Sequence, residues 1–259
     1  MVNFLSLTSG SSGNASFISD GVTNILIDCG MSGSALAASL SQIDVKMEDI
    51  DAVLITHEHS DHIKGLGVIA RRHKIPVYAT FKTFSAMKNI GEFDDSLKNA
   101  ISDELEIGNI GIKAFSIPHD AADPVGYNFF IDNTKYSLAT DIGKMNDDVF
   151  TSIKGSKYII LESNHDIDIL RLGSYPYPLK QRILGEKGHL SNDDAAKTAL
   201  ALAKSGTEHF MLAHLSRENN MPEIAKLTTE NTFSKNNIIL NRDVTLRVAS
   251  RFECTRFGA

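Results

Sequence analysis

The segment Thr56-His57-Glu58-His59-Ser60-Asp61-His62 constrains this chain more than any other. It follows an apolar run, Ala52-Val53-Leu54-Ile55, and precedes a stretch with helical spacing. A strand end fixes the backbone while the loop after it aims side chains. Alternation along extended chain puts His57, His59 and Asp61 on one side. His62, at the turn into the helix, can point to a second metal ion. Imidazole and carboxylate donors suit zinc, manganese or iron, and no cysteine lies nearby for a structural zinc site. A cluster of solvated polar residues is the alternative, but H-x-H-x-D-H is a specific pattern.

One motif cannot complete two metal sites. His119 follows Phe115-Ser116-Ile117-Pro118, Asp141 ends Tyr136-Ser137-Leu138-Ala139-Thr140, and His214 ends Phe210-Met211-Leu212-Ala213. Each is an apolar strand delivering one ligand type at its C-terminal edge. Singly, each histidine reads as structural. Together with the first motif they would close two sites, with Asp141 bridging.

Strand-like runs dominate the first third: Phe4-Leu7, Ala15-Ser19, Asn24-Asp28 and Ala52-Thr56, with Val77-Ala79 after them. Others span Ile112-Ile117, Gly126-Ile131, Tyr136-Ala139, Tyr158-Glu162, His209-Ala213 and Val244-Val248. Helical patterns cover Ser34-Ile43, Ile63-Lys74 (stopped by Pro76), Thr83-Ile90, Asp193-Lys204 and Pro222-Phe233. Ser191 and Asp194 stand in capping-box spacing. Neighbouring strands mixed with helices suit helix-covered sheets, an α/β protein of the α+β type. The segment from Asp166 to Leu190 is expected to lack regular structure, and long loops are often functional.

The 259 residues fit one domain over 1–259. The net charge of −6 excludes a protein that coats nucleic acid by bulk charge, not an enzyme with a local basic surface. The N-terminal run breaks at Ser9-Gly10 without a basic region, so it reads as no signal peptide. No apolar stretch approaches the roughly 20 residues of a membrane span. Cys29 and Cys254 make a poor disulfide framework and fit a reducing cytoplasm.

H-x-H-x-D-H after a strand resembles the signature of the metallo-β-lactamase superfamily. Further segments narrow the likeness: Leu5 to Asn14, Leu26-Ile27-Asp28-Cys29-Gly30, Leu161 to Asp166, Gly188-His189-Leu190-Ser191-Asn192 and His214 to Asn220. Together they resemble the small bacterial YycJ/WalJ group, similar to double-stranded DNA exonucleases that work 5′ to 3′. The resemblance implies an αββα sandwich with the site at one edge of the two sheets. It implies one metal on His57, His59 and His119, another on Asp61, His62 and His214, and Asp141 shared. Nucleases with an inserted β-CASP domain need a longer chain.

Two divalent ions, zinc, manganese or iron, can hold a hydroxide nucleophile and clamp a phosphoryl oxygen, and Asp61 can orient that hydroxide. His189 precedes the capped start at Ser191, where anions are favoured. It is the candidate phosphate contact and proton donor, with a surface histidine as the bland alternative. Glu162 is a candidate partner for a ligating histidine, and His165 a candidate neighbour of metals or substrate. The stretch Arg171 to Lys187 carries Arg171, Lys180, Arg182 and Lys187 against Glu186, with Tyr175 and Tyr177. It reads as a basic loop with aromatic faces for DNA, or a solvated loop. Arg217 is a further phosphate candidate. The Ser/Gly run at 9–13 offers either backbone N–H groups to an anion or a tight turn. His73 and His209 read as structural.

The favoured reading is a DNA phosphodiesterase. A small-substrate hydrolase for a cyclic phosphodiester, thioester, lactone or β-lactam is the second, because fold alone does not choose among them. A non-catalytic metal-binding regulatory module is the third, and the full set of ligand types counts against it.

Overall fold

The computed structural model of the chain describes residues 2–101 and 103–257. The first sheet begins with β1 (Asn3–Thr8), β2 (Ala15–Ser19) and β3 (Asn24–Ile27). Then come α1 (Gly33–Ser41), β4 (Ala52–Leu54), the single turn α2 (Ser60–Ile63), α3 (Leu66–His73), β5 (Val77–Ala79), α4 (Phe81–Ala86) and β6 (Lys98–Ala100). The second sheet opens with β7 (Glu104–Ile107), β8 (Ile110–Ser116), β9 (Val125–Ile131) and β10 (Thr134–Ala139). It continues through α5 (Asp147–Ile153), β11 (Tyr158–Glu162), α6 (Ile167–Leu172), α7 (Tyr177–Leu184), α8 (Asn192–Lys204), β12 (His209–Ala213), α9 (Pro222–Lys235) and β13 (Thr245–Val248). Finally β14 (Thr255–Arg256) returns to the first sheet.

The sheet orders are β14-β1-β2-β3-β4-β5-β6 and β13-β12-β11-β10-β9-β8-β7. Period-two alternation divides each strand between two cores. Ile25, Ile27 and Leu54 of the first sheet face Tyr127, Phe129, Leu138, Ile160 and Met211 of the second. Their alternates point outward. Leu26, Val53 and Val77 meet Leu36, Leu40, Ile69 and Ala70 of α1 and α3. Ile159, Leu161, Phe210 and Leu212 meet Val149, Ala199, Leu202 and Phe233 of α5, α8 and α9. The result is the expected αββα sandwich. Central strands buried on both faces explain why they read as continuous apolar runs.

Helix ends follow local chemistry. Ser191 caps α8 by accepting from Asp194 N at 3.1 Å, as the spacing predicts. Lys74 closes α3 in the left-handed region at φ 57°. The expected helix Ile63-Lys74 is broken at Gly65, so α2 and α3 are separate helices. The segment Asp166 to Leu190 is not irregular: it contains α6 and α7. Each is too short to show a periodic pattern, and each starts on a local device, the Asp166 side chain for α6 and a proline in the first turn for α7. Strands β6 and β7 and helix α5 are similarly short and had no counterpart in the expected elements. The two cysteines stay unpaired. No helix among the described residues is long and apolar enough to cross a membrane.

Three loops are sewn together at the seam between the sheets. Asn14 N donates to Asp61 O (2.8 Å), Gly30 N to Asn14 O (2.9 Å) and Cys29 N to His62 O (2.7 Å). Gly30 is required by this close approach, since a Cβ there would collide with the Asp61 carbonyl and Asn14 N. Gly30→Ala is expected to destabilise the fold by about 1–3 kcal/mol in denaturant unfolding, the usual size of an overpacking penalty. A neutral effect would show that the loops are not rigidly held.

Candidate metal centre

The site lies where strands of both sheets end. Asp28 follows β3, His57 follows β4, Asp141 follows β10, Glu162 closes β11 and His214 follows β12. Three of these, Asp28 (φ 61°), Asp141 (φ 62°) and His214 (φ 57°), hold a left-handed backbone that non-glycine residues seldom adopt. That conformation turns each side chain off its strand toward a common point.

His57, His59 and His119 bring one donor atom each to within 4.8 Å of one another, as do Asp61, His62 and His214. Asp141 lies between them: its Oδ1 is 3.8 Å from His119 Nε2 and its Oδ2 3.5 Å from His62 Nε2. The structure therefore brings together all seven side chains expected at two metal positions.

A second layer aims the rings. Asp28 Oδ2 lies 2.8 Å from His62 Nδ1 and accepts from Thr56 Oγ1 at 2.9 Å, and that hydroxyl is 3.0 Å from His57 Nδ1. His119 Nδ1 donates to Gly188 O at 3.0 Å, and His214 Nδ1 to Glu162 Oε1 at 2.8 Å. With Nδ1 so occupied, Nε2 of these rings is directed inward. Burial and the charges of His62, His119 and His59 hold His57 well below the ordinary histidine range, so it stays neutral and ligand-competent. Burial opposes a charge on His62, yet the carboxylates of Asp141, Asp28 and Asp61 push it up to about 9.

A divalent cation fits this donor set. Asp141 Oδ2 and His214 Nε2 are buried without any hydrogen-bond partner among the described residues. His59 Nδ1 faces His57 Nε2 at 3.1 Å and His119 Nε2 at 3.3 Å, an arrangement of nitrogen lone pairs that a shared cation satisfies.

A family model for the beta-lactamase superfamily domain matches residues 23–215. Exodeoxyribonuclease YycJ of Bacillus anthracis is 42% identical over 230 residues, 88% of this chain and 87% of that protein. The chain belongs to the YycJ/WalJ group of the metallo-β-lactamase superfamily. Exodeoxyribonuclease WalJ of Streptococcus pneumoniae is 41% identical over 234 residues, again 88% of this chain and 87% of that protein. The fold of the metallo-β-lactamase protein YhfI from Bacillus subtilis superposes with a TM-score of 0.68 at 16% identity, covering 98% of this chain and 99% of that one. Membership makes the chain a metal-dependent hydrolase.

A cleft of about 340 Å³ opens at the site, lined by His59, Asp61, Asp141 and His214 of the seven. His189 lines it, with its Nδ1 2.8 Å from Glu162 Oε1 and its ring centre 5.0 Å from that of His119. Glu162 is fully buried and accepts from His189, His214, Ile142 N (2.7 Å) and Leu190 N (3.0 Å). Burial would raise its carboxyl, but His189 and His214 hold it far below the usual range. Asp141, Glu162, His189 and His214 form a further cluster with ligand geometry, so His189 is nearer the metal positions than its sequence setting suggests.

Other expected residues lie elsewhere. His165 is buried, belongs to none of the clusters, and has both ring nitrogens without a partner among the described residues. Lys180 is tied back to Arg171 O (2.8 Å) and Gly173 O (2.6 Å) and does not line the cleft. Arg217 is exposed outside the cleft wall. Arg182 does line it, paired with Asp120, which sits 3.4 Å from His119 Nε2. The basic segment is thus largely a helix with one arginine on the cleft. In the Ser/Gly run, the amides of Ser9, Gly10 and Gly13 bond within the protein, so the tight-turn reading holds there. His73 pairs with Glu48 at 3.2 Å and His209 stacks on Tyr158 at 4.2 Å, both away from the site.

Asn14, Asp28 and Asp120 had no assigned role. Asn14 Nδ2 reaches Asp61 Oδ2 (3.2 Å) and His62 Nε2 (3.1 Å). The signal for Asp28 is in the sequence: it is an acid directly after an apolar strand, as Asp141 is one residue further on from its own.

Glu162→Gln should weaken binding of Mn²⁺ or Zn²⁺ about 10–100-fold in chelator competition, the usual effect of removing a carboxylate behind a ligating histidine. Unchanged affinity would remove Glu162 from the centre. Burial lowers His165 from about 6.5 to about 4. The unfolded chain therefore binds more protons than the fold between those values, so His165 destabilises the protein as pH falls through that window. In chelator-treated protein, the melting temperature of His165→Phe should fall less than that of wild type from pH 6.5 to pH 4. Parallel curves would contradict the buried neutral ring.

Proposed function

We propose that the chain is a phosphodiesterase using two divalent ions, and that it trims double-stranded DNA from 5′ ends. The observation carrying this reading is a pair of three-residue clusters sharing buried Asp141 beneath an open cleft, in a chain whose relatives are named exodeoxyribonucleases. His57, His59 and His119 would hold one ion, and Asp61, His62 and His214 the other. Ions so held supply a Lewis-acid clamp on a phosphoryl oxygen and a hydroxide nucleophile at neutral pH, and zinc, manganese and iron all match the donors.

The remaining tasks belong to the chain. Asp61, with its side chain 24% exposed, faces the cleft and orients the attacking group. Glu162 holds His189 by Nδ1, which leaves Nε2 to contact the phosphate and protonate the leaving oxygen. Arg182, steadied by Asp120, sets a cation on the cleft wall for a neighbouring phosphate. Such an enzyme works in the cytoplasm, which suits two unpaired cysteines.

End-labelled single- and double-stranded DNA and RNA, assayed with Mn²⁺, Mg²⁺ or Zn²⁺, test the reading directly. Absence of DNA cleavage under all three metals would sink it. His119→Ala should lose bound metal and activity together. His189→Ala should keep its metal and slow DNA hydrolysis roughly a hundredfold or more, the worth of a general acid. Its defect should shrink on a nitrophenyl phosphodiester, whose leaving group needs little protonation. Loss of metal would make His189 a ligand, and equal slowing on both substrates would make it a phosphate contact alone.

A further inference from the structure

The lining of the cleft divides into two parts that differ in chemistry. One carries the polar centre, with His59, Asp61, Asp141, His189 and His214. The other carries Tyr175, Leu179, Arg182 and Ile183. Within α7, positions 179, 182 and 183 are three and four residues apart, so they share one helix face. Tyr175 stands just before the helix, half-buried, and lines the same cleft. An aromatic and aliphatic surface sharing one cleft with a phosphate-type site has the polarity of a nucleotide, with a place for a base and a place for a phosphate. The volume suits one small ligand. At about 340 Å³ the cleft is at the low end of the ~300–1,000 Å³ of pockets that take one small ligand, a size that suits a single nucleotide.

We infer that the cleft accepts one nucleotide at a time, drawn out of the DNA end, with its base laid on Tyr175 and flanked by Leu179 and Ile183. This rests on the DNA reading above. Drawing out a paired nucleotide costs unpairing and unstacking energy, least at a mismatch or a frayed end. Stacking on a tyrosine ring offsets part of that cost for any base, because every base has a π-face. Arg182, paired with Asp120 beside His119, stands between that apolar surface and the centre and meets the phosphate side of the nucleotide. The site therefore prefers loosened ends over tightly paired ones, without base-specific contacts.

Two measurements on the Mn²⁺-loaded protein test this. The first compares binding of dAMP with that of deoxyribose 5-phosphate by calorimetry. Wild type should bind dAMP about tenfold or more tightly, the worth of one base–aromatic stack. Tyr175→Ala should lose that difference, and Tyr175→Phe should keep it. The second compares digestion of duplexes whose terminal pair is matched or mismatched. Wild type should prefer the mismatch, and Tyr175→Ala should show a raised KM on both. Equal binding of dAMP and deoxyribose 5-phosphate by wild type would overturn the inference even if DNA is digested. So would equal losses in Tyr175→Ala and Tyr175→Phe, or indifference to terminal pairing. A protein that discriminates dAMP but cuts no DNA would retain the base wall and refute the DNA reading instead.

Discussion

Burying several carboxylates among imidazoles is the constraint on which the rest of this protein depends. Asp28, Asp141 and Glu162 lie almost entirely out of water, as do His57, His62, His119 and His214. Such groups are tolerable only when each is paired or ligates a cation, because an isolated buried charge is very costly. Glu162 satisfies this with four donors from three separate segments. Asp28 satisfies it through Thr56 and His62. Asp141 leaves one oxygen unsatisfied, and it is the residue placed between the two clusters. The network therefore converges on a position that needs positive charge.

Much of this was legible in the sequence. The strands Ala15–Ser19, Val77–Ala79, Tyr158–Glu162 and His209–Ala213 have the bounds expected from their apolar runs. Strands buried on both faces announce themselves by composition, and a lone histidine or aspartate at the end of such a run stands out. Short elements do not. Helices α6 and α7 have six and eight residues, too few for a periodic signal. Side-chain destinations were less legible still. Lys180 and Arg182 sit two residues apart in one basic stretch, yet one caps a carbonyl pair and the other faces the cleft. Only the rotation of α7 separates them, and a sequence read as a loop carries no rotation.

The strained backbone at Asp28, Asp141 and His214 ties stability to the centre. Each costs free energy that a glycine would not, and Asp28 and His214 are held by backbone hydrogen bonds to Leu54 O and Ser9 Oγ. Substitution by glycine would relax the backbone but remove the donor. The left-handed turns persist because geometry at the strand ends and chemistry in the cleft make the same demand.

The chain's two ends meet beside this centre. Ser9 Oγ accepts from His214 N across 205 residues of sequence, and Thr8 Oγ1 donates to Arg251 O across 243. Strand β14 closes on β1 in the same place. Contacts of such separation carry the largest loop-closure entropy and slow folding. During synthesis, the His57-to-His62 loop emerges long before His214 and the returning C-terminal strand. The nascent chain can therefore offer only a partial donor set until His214 has emerged, and a complete set of donors reports that β12 has taken its place in the second sheet.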